Sequence, residues 1–387
     1  MTHDATSRQR AQMHNANRLK IGLFAANLSS GRTPTKVPER WSGSWDDNVR
    51  LARYADQAGI DFLLPLSRWK GYAGETNYQG EGLETFTWAT GLLALTERIT
   101  VFATVLAPLF NPILASKLCV TADQIGHGRF GLNVVVGWNT DEFEMFGVPM
   151  ADHDRRYGYA QEWLDIAKMA WSDRKAFDFA GEHFTVKDAR LAPKPVDGDR
   201  PLIMNAAVSD VGRDFAIRNC DALFVQASRV SDEDTGQTVQ KVKTAAAAVQ
   251  RELDVYTVGG ITCRPTRREA EDYFNHAAYE NADLDAVEEL MAAFKMTRQS
   301  LGDAEFEKRR RQYCLGYSGL PMTGTPDDIA DRLAALSAIG LSGIGVSFIS
   351  YMAELPYFCE EVLPRLERKG LRVPVRVAVG EGDLVNA

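Results

Sequence analysis

The sequence predicts an α/β chain folded as a (β/α)8 TIM barrel with loop insertions. Short apolar runs alternate with helical patterns eight times along the chain, which requires a parallel sheet. The runs are almost continuously apolar, as expected of strands covered on both faces. Polar and aromatic residues gather where the runs end, most densely in residues 129–144 (RFGLNVVVGWNTDEFE). That is where a parallel barrel builds its site. A doubly wound open sheet is the structural alternative.

Residues 19–26 (LKIGLFAA) form the first strand, and 27–44 a long Ser/Gly/Pro/Thr-rich loop. The helix over 45–58 has Ser44 as N-cap, acids in its first turn and Gly59 as its stop. Residues 60–67 (IDFLLPLS) are the second strand, followed by a Gly-rich loop at 70–82 and a helix over 83–95. Strands at 99–107 and 130–137 flank a helix at 111–125, and 154–171 is helical. The alternation in 175–192 predicts an inserted hairpin. Strand 201–207 (PLIMNAA) precedes helix 210–218, strand 222–227 precedes helix 232–252, and strand 255–264 follows. Residues 266–311 are charged and helix-favouring, and 281–322 reads as a lid-like excursion over one face. Thr325 and Pro326 open a helix over 325–338; strand 343–350 and helix 354–368 complete the barrel. The expected organisation is a tail at 1–18, one barrel domain at 19–370 and a second tail at 371–387. Strand ends carry Ser67-Arg68, Thr104, Asn133 with Trp138, Asn205, Gln226, Gly260 and Ser350.

The chain of 387 residues is 45% hydrophobic and 25% charged, ordinary for a globular protein. Its net charge of −8 argues against nucleic acid or an anionic membrane surface as partner. No stretch approaches the ~18 uninterrupted apolar residues of a membrane span. The five cysteines are scattered without a C-x-x-C pair, consistent with free thiols in a reducing cytoplasm. Residues 126–131 (GHGRFG) match G-x-G-x-x-G, but a helix precedes them and a strand follows, the wrong order for a dinucleotide fingerprint. The six histidines show no metal-ligand spacing and there is no G-x-S-x-G elbow, so no metal site and no hydrolase are expected.

Ser209 lies where a strand ends and a helix begins, and Arg156 could add charge, so the pair could hold a phosphate; a plain N-cap and a solvated arginine are the alternatives. Asn133 in a buried strand reads equally as a satisfied core amide. Together with DFLLPLSRWKG, ADQIGHGRFGLNVVVGWNTDEFEMFG, HDRRYGYAQEWL, LIMNAAVSDVGRDFA and TGTPDDIADRL, these stretches resemble the bacterial luciferase-like superfamily of flavin-dependent enzymes. The resemblance spans about residues 19–368, and it is to the branch holding pyrimidine and dimethyl sulfone monooxygenases.

The resemblance implies a luciferase-like barrel that binds FMN, used as FMNH2 with O2 as co-substrate. Its flavin contacts fall on Ser67, Arg68, Asn133, Glu142, Arg156, Tyr157 and Ser209. The Ser67-Arg68 pair departs from the apolar-plus-lysine pair of the pyrimidine enzyme. The family's oxygen pocket falls on Leu64, Thr104, Asn133, Val135 and Trp138. Hydroxyl and amide groups there would hold a charged oxygen species while the apolar wall keeps water out. The cofactor carries the difficult step, so no strong general base is required. The implied partners are a separate NAD(P)H:flavin reductase and a small heterocycle or organosulfur substrate, in a cytoplasmic homodimer or homotetramer. An F420-dependent oxidoreductase on the same barrel and a non-catalytic flavin-binding protein are the alternatives.

Overall fold

The computed structural model describes residues 13, 15–172, 175–198, 200–316 and 319–375. Eight parallel strands close into a barrel: β1 (Lys20–Phe24), β2 (Phe62–Leu64), β3 (Thr100–Leu106), β4 (Phe130–Val135), β5 (Leu202–Ala206), β6 (Ala222–Phe224), β7 (Asp254–Cys263) and β8 (Gly343–Ser347). Each pairs with the next, and β8 returns to β1 through Lys20–Gly343 to Leu23–Val346. The fold is the expected (β/α)8 barrel. Because side chains alternate across a strand, Ile21, Leu23, Val101, Leu132, Val134 and Ile203 face outward and pack on the surrounding helices. The same alternation turns Asn205 outward, where its Nδ2 donates to the Val134 carbonyl at 2.6 Å, so it is no part of the barrel mouth.

Inside, the barrel is plugged rather than hollow. Phe62, Phe102, Phe224 and Tyr256 meet in tilted and edge-on contacts, with ring centroids 5.4–6.5 Å apart. Glycines on neighbouring strands make room for them. A Cβ at Gly22 would lie 2.2 Å from the Phe62 ring, and one at Gly131 2.2 Å from the Phe102 ring. Next on the same inward faces come Leu64 after Phe62, Thr104 after Phe102, and Asn133 after Gly131. The plug is thus the floor of whatever binds at the strands' C-terminal ends.

The local signals hold. Ser44 accepts from the Asp47 amide at the start of helix Trp45–Gln57, and Thr325 forms a capping box on helix Pro326–Ala338. The inserted hairpin pairs Phe177–Ala180 with Thr185–Ala189. The excursion holds helices Leu284–Ala293, Arg298–Leu301 and Asp303–Tyr313, and then a strand the sequence did not suggest. Leu320–Gly324 (LPMTG) adds in parallel to the upper half of β7, from Leu320–Gly259 to Gly324–Cys263. Its proline masks it, yet proline is tolerated where one side of a strand stays unpaired.

The expected tails need correction at their inner ends. Asp61, fully buried, accepts from Asn15 Nδ2 and Asn17 Nδ2 (both 2.8 Å), the Ile21 amide (2.7 Å) and Arg372 Nη1 (2.5 Å). Arg372 also donates to Gly59 O at 2.6 Å, and Val373 N to Asn17 Oδ1 at 2.8 Å. Residues before β1 and after the last helix are therefore tied to one carboxylate at the barrel's N-terminal end. Residues 1–12, 14 and 376–387 of the expected tails lie outside the described residues. Removing one member of a buried pair leaves the other charge uncompensated. Asp61→Ala is expected to lower stability by about 3–5 kcal/mol in urea unfolding; a loss below ~1 kcal/mol would contradict the latch.

Candidate active site

Thr104 and Asn133 are register partners on β3 and β4. The Thr104 hydroxyl donates to Pro65 O at 2.6 Å. Having one proton, it can only accept from Asn133, whose Nδ2 stands 3.2 Å away. Thr104 is therefore no donor to a ligand, contrary to the role expected of it. The chain Pro65–Thr104–Asn133 instead fixes the amide so that Oδ1 points elsewhere, and this oxygen is buried without a partner. A buried acceptor left open is costly, and marks a place where a ligand donor belongs. Leu64 is buried on the same inward layer, and Val135 follows Asn133 on β4.

Beyond β4 the chain turns at Gly137, whose φ of +77° admits few other residues. Asn139 then caps the short helix Thr140–Met145. Its first turn carries Glu142, which is buried and accepts from Arg68 Nη1 and Trp69 N, both at 2.9 Å. Arg68 stands 5.2 Å from the Tyr72 ring centre and 5.4 Å from that of Trp138. Trp138 stacks on Phe294 from the excursion, at 4.0 Å and 8°. Arg68 and Glu142, expected as separate cofactor contacts, are one ion pair bracing the loops after β2 and β4. Ser67 is half-buried beside it. Tyr72, Phe294 and Gln79, whose Oε1 accepts from Arg68 Nε at 3.4 Å, were missed by sequence reasoning, since only tertiary contact brings them here.

The phosphate-like corner lies at the other end of the same turn. Arg156 donates through Nη1 to Gly137 O, while its buried Nε has no partner. Burial pushes its pKa down. Ser209 caps helix Asp210–Asn219, accepting from Gly212 N at 3.2 Å, and stands 3.2 Å from His153 Nε2. Tyr157 is buried, which pushes its phenol pKa up, while Ser209 nearby acts in the opposite direction. The Tyr157 hydroxyl fits against the helix only because residue 212 is glycine, where a Cβ would lie 2.3 Å away. Open amides in a first helical turn, a hydroxyl, a phenol and a guanidinium suit a phosphate. His153 and Gly212 were not singled out in the sequence, although both lie within the quoted motifs.

Among the described residues no group of three or more His, Cys, Asp or Glu is placed to hold a metal ion, and no helix is long and apolar enough to cross a membrane. The site is a (β/α)8 barrel mouth with an open amide oxygen at the end of β4 and a hydroxyl, a phenol and a guanidinium beside the turn that follows. The sequence profile of the luciferase-like monooxygenases matches residues 19–343, so the chain belongs to that family. It is 30% identical to an FMNH2-dependent dimethylsulfone monooxygenase of Pseudomonas putida, over 89% of this chain and 94% of that one. It is 27% identical to the pyrimidine monooxygenase RutA of Acinetobacter baylyi, over 89% and 94%. Among solved structures, a riboflavin lyase superposes with a TM-score of 0.83 at 20% identity, over 92% and 93% of the two chains.

The Thr104 relay is open to a stability test. Thr104→Val leaves Pro65 O and Asn133 Nδ2 without their partner and is expected to cost about 1–3 kcal/mol. Thr104→Ser should restore most of it in urea unfolding. A valine variant as stable as wild type would contradict the assigned direction of these hydrogen bonds.

Proposed function

We propose that this chain is the oxygenase component of a two-component monooxygenase. It uses FMNH2 from a separate NAD(P)H:flavin reductase, and O2, to oxygenate or cleave a small heterocyclic or organosulfur substrate. The observation that carries this reading is the buried, unpartnered Asn133 Oδ1 on β4, together with the unpartnered Nε of Arg156, whose Nη1 donates to Gly137 O just beyond that strand. Reduced flavin offers ring N–H donors at one end and a phosphate at the other. The names of the curated relatives support the same cofactor.

Bound flavin supplies the electrons that O2 requires; the chain supplies position and dryness. Arg156, Tyr157, Ser209 and the first-turn amides of helix Asp210–Asn219 hold the phosphate. Asn133 Oδ1 accepts a ring N–H, with Thr104 locking its orientation. Leu64, Val135 and Trp138 exclude water beside the ring, and the Arg68–Glu142 pair keeps the two flanking loops in register. A reductase in trans fits the lack of a nicotinamide fingerprint, and the free cysteines fit a cytoplasmic setting. The proposed assembly is a homodimer or homotetramer.

The test is fluorescence titration with FMN and with riboflavin. Wild type should bind FMN more tightly, and Arg156→Ala should weaken FMN by about tenfold or more while changing riboflavin little. Equal losses for both ligands would remove Arg156 from the phosphate site.

A further inference from the structure

We propose that His153 is a positioning residue of the phosphate corner, whose protonation turns the Ser209 hydroxyl from the imidazole toward the phosphate. The inference rests on the reading of that corner as a phosphate site, and it adds a proton to what the site takes up.

The hydrogens can be counted. Asp154 Oδ1 stands 3.1 Å from His153 Nδ1, and a carboxylate only accepts, so Nδ1 carries a hydrogen. In a neutral imidazole Nε2 is then bare and can only accept. Ser209 Oγ lies 3.2 Å from that nitrogen and already accepts from Gly212 N at 3.2 Å. Its single proton goes to the ring, and none is left for a ligand. In the imidazolium both ring nitrogens donate. Nε2–H then fills the second lone pair of Oγ, and the hydroxyl proton is released toward the first turn of helix Asp210–Asn219. One protonation thus brings a positive charge and a donor to the corner together. The ring is set for this by Tyr157, which it meets edge-on with centroids 5.2 Å apart.

The charged and titratable groups around the ring lie on two elements. On its own helix, His153–Ser172, they are Asp154, Arg156 and Tyr157, while Arg155 is engaged elsewhere, 3.7 Å from Glu182. On the facing helix they are Asp210 and Arg213, which stand 3.5 Å apart, with Lys241 4.0 Å from Asp210. The ring opens one helix and faces the start of another, and both of those ends oppose a cation. A phosphate dianion reverses that field, so it favours the imidazolium, and by reciprocity the imidazolium favours the phosphate. Imidazoles change charge between about pH 5 and 8, a range in which folded chains can be titrated. The ring is half-exposed, so the coupling is expected to be about tenfold rather than larger.

The test is an NMR pH titration of the full chain carrying isotope-labelled histidine, with the His153 signal identified by its loss in His153→Gln. The midpoint for His153 should lie about one pH unit higher with FMN bound than without, and should not move with riboflavin. FMN affinities of wild type and His153→Gln give a second readout. The glutamine amide donates to Ser209 at every pH but carries no charge. Wild type should therefore bind FMN about tenfold more tightly than the variant near pH 6, and no more tightly near pH 8.5. Titration of the phosphate itself cancels in that ratio. A midpoint unmoved by FMN, or moved equally by riboflavin, overturns the proposal, as does an affinity ratio that is independent of pH. Failure of FMN to bind wild type would remove the cofactor reading, and sulfate, a dianion throughout this range, then decides the histidine alone. A midpoint raised by sulfate supports the proposal, and one unmoved by it overturns the proposal.

Discussion

Asn133 holds its amide in one orientation because the Thr104 hydroxyl already gives its proton to Pro65 O. Much of the mouth can be understood from that constraint. A free asparagine amide turns to suit either a donor or an acceptor, whereas this one presents only an oxygen. The relay depends on the parallel register of β3 and β4, which sets Thr104 directly beside Asn133. It depends as well on the floor below, where Gly131 leaves space for the Phe102 ring and so keeps β4 close to its neighbour. A packing arrangement at the barrel's centre is thereby converted into a chemical preference at its mouth.

Charge is handled in the same economical way. Asp61 and Arg372 at the lower end, and Arg68 and Glu142 at the upper end, are deeply buried ion pairs joining segments distant in sequence. Such pairs add little net stability over apolar packing, but breaking one is expensive, so they fix which segments meet. One closes the barrel's entry and exit. The other holds the loops after β2 and β4 against Trp138, whose stack on Phe294 brings the excursion over the mouth.

The barrel was legible in the sequence because its signals are local. Continuous apolar runs, the caps at Ser44 and Thr325, and the polar end of β4 all lie within a few residues of what they determine. Arg156-Tyr157 and Ser209, which are proposed to hold a phosphate, sit at helix starts and were marked by equally local signals. What could not be read is pairwise and long-range. Glu142 and Arg68 are 74 positions apart, and neither sequence neighbourhood names the other. Asn15, Asn17 and Arg372 look like solvated tail residues until Asp61 collects them. Leu320–Gly324 hides as a strand because Pro321 reads as a loop and its partner is a strand edge far away. Asn205 looked like a mouth residue by its position at a strand end, but alternation turns it outward.

The most direct measurement is a crystal structure of the FMN complex. The phosphate is expected to lie among Arg156, Tyr157, Ser209 and the first amides of helix Asp210–Asn219. A ring N–H or other donor is expected to face Asn133 Oδ1. A phosphate bound elsewhere, or an Asn133 amide turned to present its nitrogen to the ring, would contradict this account.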